Sequence, residues 1–318
     1  MCTRIFWNDN PVARVVARTI DWEFSDEPRM WVLPRGLRRT GDTGAGEATW
    51  VSRHGSISMS SWDAGTGECV NAHGLAAHAL YLGAADYGPD DGRPTITNIM
   101  WTQYLVDHCT TVAEALDVLD DVRIVPKRAK GNDLPLHLAL EDAGGDAAIV
   151  EMFDGTAHVH HGHEHNVMAN DPDYEAQLAN AARYQAFGGD LPLPGDIVSA
   201  DRFVRAKYFL DHLPEPENEL EAVAGVLGLA RNVAIPYGAP DNLFPSYPTW
   251  WMSVADLTDG VYYFQSTRSP NVIWLELGEL DFAPGAPVLA LDPRNVTLVG
   301  DVREHLAPAQ LPFGVPQA

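Results

Sequence analysis

Apolar residues along this chain come in short runs broken by glycine, proline, asparagine and aspartate, a rhythm that favours strands over long helices. Thr3 to Trp7 reads as a strand, and so does Val12 to Arg18, with Asn8-Asp9-Asn10-Pro11 supplying turn chemistry between them. The pair is therefore a predicted hairpin. With Asp9 and Asn10 as its loop, Cys2 falls opposite residue 17 or 18. The hairpin alone then brings Arg18 beside the start of the chain, a register that a turn offset by two residues breaks.

Met30 to Leu33, Thr49 to Arg53, Ser56 to Ser61 and the small, apolar Gly74 to Leu82 extend this strand block. Thr95 to His108 and Thr111 to Asp120 read as helices, the second capped by Thr111 with Glu114 three residues on. Leu136 to Leu140 and Ala147 to Phe153 return to strands, and His158 to Met168 is expected to continue their sheet. Ala200 to Leu213 is a helix. Glu217 to Arg231 is another, acidic at its start and basic at its end as the helix dipole favours. Trp250 to Val254, Gly260 to Ser266 and Asn271 to Leu277 complete a strand-rich C-terminal part. Strands in blocks, without strict βαβ alternation, imply an α+β protein of packed antiparallel sheets with helices outside. No Gly/Ser tract, proline run or block of like charge divides residues 1–318, so a single domain is expected.

Composition narrows the function. With 46% hydrophobic residues among 318, the chain can bury a large core. Lys and Arg number 21 against 44 Asp and Glu, a formal net charge of -23. Such a surface repels phosphate backbones and anionic lipids, so neither nucleic-acid nor membrane partners are expected. Cys2, Cys69 and Cys109, with no CxxC pair among them, suggest neither a disulfide framework nor a zinc ribbon. The N-terminus lacks the basic and apolar regions of a secretory signal, and no apolar run reaches transmembrane length. A cytoplasmic protein is the expectation.

The informative residue is Cys2. Removal of Met1 is expected when the second residue is small, and the new terminus then carries a thiol and an amine on adjacent carbons. With reference pKa values near ~8.5 for the thiol and ~7.7–8.0 for the amine, the amine can accept the thiol proton directly or through water. The two groups form a minimal nucleophile–base pair. A cation such as Arg18 favours the thiolate, and a carboxylate such as Asp21 can orient the amine. Against this stands the plainer possibility of an incidental cysteine with an ordinary Arg18–Asp21 surface pair.

Further segments decide between them. Met1-Cys2-Thr3-Arg4, Ala17-Arg18-Thr19-Ile20-Asp21-Trp22 and Pro34-Arg35-Gly36 resemble the opening of the choloylglycine hydrolase family, which includes penicillin V acylases and bile salt hydrolases. The resemblance runs on through Glu68-Cys69-Val70-Asn71-Ala72-His73-Gly74-Leu75-Ala76, Val167-Met168-Ala169-Asn170-Asp171-Pro172, Leu193-Pro194-Gly195 and Asp201-Arg202-Phe203-Val204-Arg205. It ends in Tyr262-Tyr263-Phe264-Gln265-Ser266 and Ser269-Pro270-Asn271, so it spans nearly the whole chain in order. It implies the four-layer αββα sandwich of N-terminal-nucleophile hydrolases, with two central antiparallel sheets, and an amidase that works through a thioester. Cys2 would be the nucleophile and its own α-amine the proton relay. Arg18 would lie against the sulfur and Asp21 would hold the amine. Asn170 and the backbone N–H of Tyr81 would donate to the oxyanion, and Arg202 would complete the polar network behind the cysteine. The Thr that usually precedes the oxyanion asparagine is Ala169 here, and Val70-Asn71-Ala72-His73-Gly74-Leu75 keeps only part of the family's Met-Asn-Glu-Lys-Gly-Leu.

Tyr81 also sorts the subfamilies, since bile salt hydrolases generally place Asn there and penicillin V acylases Tyr. Trp22, Trp250-Trp251 and Ser269-Pro270-Asn271 are similar to the branch that includes acyl-homoserine-lactone acylases. Trp22 is a candidate wall of the acyl pocket, with a place in the core as its rival. The expected partner is a small N-acyl amide, the expected assembly a homo-oligomer, a tetramer by resemblance, and the reaction calls for neither metal nor organic cofactor. Bile salt hydrolysis is the rival within the enzyme class. A non-catalytic amide-binding protein and a histidine-rich metal-binding protein are rivals outside it. The last rests on His158, His160, His161, His163 and His165, which no Cys or carboxylate spacing completes into a site. Gly41 to Gly46 fails as a phosphate loop, and Asn295-Val296-Thr297 is a common glycosylation pattern without a supporting signal.

Overall fold

The computed structural model describes residues 2–240 and 246–316, so Met1, whose removal the sequence leads us to expect, lies outside the described residues. A seven-stranded sheet carries, in spatial order, Val167–Met168, Cys2–Trp7, Val15–Asp21, Thr249–Asp256, Val261–Ser266, Ile273–Glu276 and Gly300–Asp301. A nine-stranded sheet carries Thr156–His161, Ala147–Phe153, Leu136–Glu141, Ala76–Tyr81, Gly65–Asn71, Ser56–Ser61, Arg29–Leu33, Leu289–Leu291 and Ala307–Pro308. Neighbours pair antiparallel throughout, except where Ile273–Glu276 runs parallel to Gly300–Asp301.

Alternation along the strands builds the layers, because successive side chains leave opposite faces. From the seven-stranded sheet, Phe6, Val16, Trp251 and Phe264 pack onto Met30, Val32, Ile57 and Met59 of the nine-stranded one. The alternate residues Ile5, Val15, Ala17 and Val254 turn to the helices α3 (Tyr174–Ala181), α4 (Ser199–Leu210) and α5 (Glu219–Val233), meeting Phe203, Val204 and Val226. The far face of the nine-stranded sheet, with Ala77, Leu138, Leu140 and Val150, lies under α1 (Trp101–His108) and α2 (Val112–Asp117). The result is the αββα sandwich that the resemblance implied. The predicted cap of α2 forms, with the Thr111 side chain accepting from Glu114 N.

Three expectations need correction. The first hairpin pairs Cys2 with Ile20 and Arg4 with Arg18, not Cys2 with residue 17 or 18. The cause is Asn10, whose Oδ1 accepts from Val12 N and Ala13 N and whose Nδ2 donates to Ala13 O. This closed loop delays pairing until Trp7 meets Val15. Thr95 to His108 is not one helix. The β-branched Thr95–Thr97 segment pairs parallel with Arg123–Val125, and the α-helix starts only at Trp101. His158 to Met168 does not continue one sheet: the strand ends at His161, and Val167–Met168 joins Cys2–Trp7 in the other sheet.

Candidate active site

Cys2 opens the first strand, buried, and is directly opposite Ile20. Arg4, two residues on, is opposite Arg18, so Cys2, Arg4, Arg18 and Ile20 share the face that looks toward the nine-stranded sheet. Arg18 is thus a diagonal neighbour of Cys2, and its Nη2 lies 3.5 Å from the sulfur. The guanidinium is held from the opposite sheet: Nη1 donates to Gly67 O at 2.7 Å, Nη2 to Ala79 O at 3.2 Å, and Nε pairs with Glu68 Oε2 at 3.3 Å. Burial alone would lower its pKa, but Cys2 and Glu68 outweigh burial and the net direction is up.

Asp21 and Arg202 lie on the other face of the same strand pair, the one that meets the helices. Arg202 Nη1 is 3.0 Å from Asp21 Oδ2 and also donates to Thr3 Oγ1; Nη2 reaches Asn170 Oδ1 at 3.5 Å and Nε donates to Ile197 O at 2.9 Å. Thr249 Oγ1, on the next strand, donates to Asp21 Oδ1 at 2.5 Å. Asn170 joins the two halves of the site. Its Oδ1 accepts from Cys2 N, and its Nδ2 donates to Tyr81 O at 2.6 Å. Ser199 Oγ accepts from Asn170 N at 2.9 Å, and Gln177 Nε2 donates to Asn170 O at 2.9 Å. Asn170 is therefore fixed at four points although Ala169 supplies no hydroxyl.

Tyr81 closes the Ala76–Tyr81 strand opposite Leu136. Both Leu136 N and Leu136 O bond to the Tyr87 hydroxyl, and the next pair exchanges a bond from Leu82 N to Pro135 O. Pairs alternate along an antiparallel ladder. Tyr81 and Leu136 are thus a non-bonded pair, and the Tyr81 N–H turns away from Leu136, toward the side on which Tyr81 O meets Asn170. Burial, then Asp171 and Asp133, raise the pKa of the Tyr81 phenol.

Cys2, Arg18 and Tyr81 border a partly open cavity. Its walls are mostly apolar, from Ile20, Trp22, Trp62, Ile99, Leu134 and Leu136. Trp22 is packed at 6.0 Å from Tyr81 and 5.9 Å from Tyr247, between ring centroids, so it stands in the wall rather than in a core. Trp62 and Asp63 turn the chain between the Ser56–Ser61 and Gly65–Asn71 strands with φ of 52° and 51°, a conformation usually left to Asn and Gly. Bonds from Trp62 N to Asp26 O and from Trp62 Nε1 to Ser25 O hold that turn against the cavity. Buried Asp26 accepts from Trp251 Nε1 and Ser61 Oγ, and burial pushes its carboxyl up to about 6.

The structure brings Cys2, Arg18, Asp21, Trp22, Tyr81, Asn170 and Arg202 together. Sequence reading missed Thr249, Ser199, Gln177, Glu68, Trp62 and Asp26. Thr249 had a signal, since it begins the Trp250–Trp251 strand; the others are set by tertiary packing. His158, His160, His161, His163 and His165 line no part of this cavity. His161 pairs with Asp146 at 2.8 Å, and among the described residues no group of three or more His, Cys, Asp or Glu is arranged to hold a metal ion. No helix among them is long and apolar enough to cross a membrane.

Comparison with known proteins agrees with this geometry. Residues 2–290 match the family of linear amide C–N hydrolases, choloylglycine hydrolase family. A penicillin V acylase of Pectobacterium atrosepticum is 34% identical over 98% of this chain and 91% of its own. A bile salt hydrolase/transferase of Bifidobacterium longum is 25% identical over 70% of this chain and 78% of its own. The solved penicillin V acylase of Agrobacterium tumefaciens superposes over the full length of both chains with a TM-score of 0.89 and 35% identity. The C2A variant of a Clostridium perfringens conjugated bile acid hydrolase, at 17% identity, covers 92% of this chain and 96% of its own with a TM-score of 0.78 and shares the fold. With the family matched over most of its length and a relative above 30% identity over nearly all of it, this chain belongs to the choloylglycine hydrolase family, linear amide C–N hydrolases.

Proposed function

We infer that this chain is an acylase of the penicillin V acylase type that uses Cys2 as its nucleophile once Met1 is removed. The observation that carries the reading is the Cys2 sulfur, 3.5 Å from the Arg18 guanidinium at the edge of an apolar cavity, with Asn170 bridging Cys2 N and Tyr81 O. In the first step the thiolate attacks the amide carbonyl carbon and an S–C bond forms. The oxyanion takes hydrogen bonds from the second N–H of Asn170 Nδ2 and from Tyr81 N–H; each such donor contributes about 3–4 kcal/mol in the tetrahedral state. The α-ammonium of Cys2 gives its proton to the leaving nitrogen and the C–N bond breaks, leaving a thioester. Water then loses a proton to the α-amine, attacks the thioester carbon, and releases the acid and the thiolate. Asp21, held by Arg202 and Thr249, steadies the α-amine.

Trp22, Trp62 and Tyr81 around the cavity suit a flat aromatic or long apolar acyl group, as in penicillin V or a long-chain acyl-homoserine lactone. A cytoplasmic, single-domain, oligomeric enzyme is part of the same reading. The test is intact mass for loss of Met1, then acid release from penicillin V, a long-chain acyl-homoserine lactone and glycocholate at equal concentration, with wild type and Cys2→Ser. Cleavage of the first two that disappears in the variant supports the proposal. A preference for glycocholate would move the chain to the bile salt hydrolases. No turnover with Met1 removed would favour the amide-binding reading.

A further inference from the structure

Behind the cysteine, a row of buried charges crosses from one sheet to the other. Arg4 Nε and Nη2 meet Glu141 Oε2 at 2.9 and 2.5 Å. Glu141 Oε1 lies 2.5 Å from His78 Nε2, and His78 Nδ1 lies 3.5 Å from Glu68 Oε2. Glu68 pairs with Arg18, and Arg18 reaches the Cys2 sulfur. Each of these side chains is at most 4% exposed. Signs alternate along the row: plus, minus, plus, minus, plus, then the sulfur. Burial alone would lower the His78 pKa, but Glu141 and Glu68 outweigh it and the net direction is up. Burial likewise opposes ionisation of Glu68 and Glu141, yet their cationic neighbours prevail and both are lowered. With His78 as imidazolium, three cations face two carboxylates and the row carries one surplus positive charge next to Cys2.

We propose that His78 and Glu68 are positioning residues for the nucleophile, acting through Arg18, and that the net charge of this row favours the Cys2 thiolate. The proposal rests on Cys2 as the nucleophile. Arg18 alone, paired with Glu68, would present a neutral ion pair to the sulfur; the Arg4–Glu141–His78 segment supplies the excess cation. Other groups also face the row. Tyr262 donates to Glu68 Oε1, Asp26 acts on Arg18 from the loop beyond Trp22, and Tyr247 interacts with Cys2 and with the Asp21–Arg202 pair. None of these is itself substituted in the variants below, and only Tyr262 changes partner, in Glu68→Gln, where the side-chain amide oxygen can still accept from it.

Sign is what separates this role from a structural one. His78→Gln removes a cation and takes the row from one surplus positive charge to none. Glu68→Gln removes an anion and leaves two surplus charges, and the double variant returns to one. The readout is alkylation of the Cys2 peptide by iodoacetamide as a function of pH, followed by mass spectrometry, beside the acidic limb of kcat/KM for penicillin V. Cys69 and Cys109 do not compete, because burial pushes their thiols up to about 11 and about 12. Expected are a midpoint about half to one pH unit higher in His78→Gln, a similar shift lower in Glu68→Gln, and a near-wild-type midpoint in the double variant. Glu141→Gln has the same sign as Glu68→Gln and replaces it where melting shows that Glu68→Gln is unfolded. Shifts in one common direction, or none in cooperatively melting variants, overturn the proposal. Alkylation reads the row even if no amide is cleaved. Failure of the nucleophile reading shows separately, as turnover that survives Cys2→Ala.

Discussion

The space between the two sheets holds two unlike interiors. On one side Val16, Met30, Met59, Phe264 and Leu275 pack as an ordinary apolar core. On the other, Arg4, Arg18, Glu68, His78 and Glu141 fill the same gap with charge. The rings of Phe6 and Trp251 form the border, 5.4 Å from Arg4 and 5.6 Å from Arg18. The apolar side is explained by stability, since burying such side chains is favourable wherever they meet. The charged side is not, because desolvation offsets much of what a buried ion pair gains. Its place beside Cys2 points to chemistry as the reason it is kept.

The largest effect separating the two sides is expected from Cys2→Ala. Acid release should fall by about 10⁴-fold or more while the melting temperature barely moves, since the removed sulfur is one small group. Residual turnover within tenfold of wild type would place the nucleophile elsewhere. Next is Arg18→Leu, which leaves Glu68 buried beside fewer cations; a loss of about 3–5 kcal/mol in chemical denaturation is expected, with activity gone even in the folded fraction. Met59→Ala, on the apolar side, should cost about 3 kcal/mol and leave kcat/KM per folded molecule nearly unchanged. If it lowered kcat/KM as Arg18→Leu does, the two interiors would not be separable. The smallest effect has the opposite sign. Asp26 is raised from 3.8 to about 6 by burial, so the folded protein keeps that proton at pH values where the unfolded chain has released it. Its contribution is fully present below about pH 4 and is lost as pH rises through about 6. A shift of that size corresponds to roughly 3 kcal/mol, less about 1 for a lost hydrogen bond, so Asp26→Asn should stabilise by about 2 kcal/mol at pH 7. That advantage should vanish near pH 4, as denaturant titration at the two pH values can show.

Much of this was legible in the sequence because it depends on local chemistry. Cys2 at the start of a strand, the turn after Trp7 and the cap at Thr111 are all short-range signals. Of the two expected registers, the one with Cys2 opposite residue 18 kept Arg18 on the correct face, because the shift to residue 20 is two, the strand's own period, whereas the one with residue 17 is off by three and did not. Asn170, Tyr81 and Arg202 were reached through resemblance, and no local pattern would have joined them. What stayed hidden needs the second sheet. Glu68 and His78 are directly opposite each other on adjacent strands, yet only the docking of Arg18 from the other sheet gives that pair a purpose. Ser199 and Gln177 look like ordinary helix residues until Asn170 is placed between them.

The bonds of Asn170 and Arg202 to the first strand, and of Thr249 to the second, also impose an order in time. Synthesis runs from the N-terminal side, so the thiol is made some 170, 200 and 250 residues ahead of these three side chains. A nascent chain therefore carries its reactive group until all three have been made, without the surroundings that would make it a catalyst. Only when both sheets close does this early-made residue come into use, so that turnover reports a folded site.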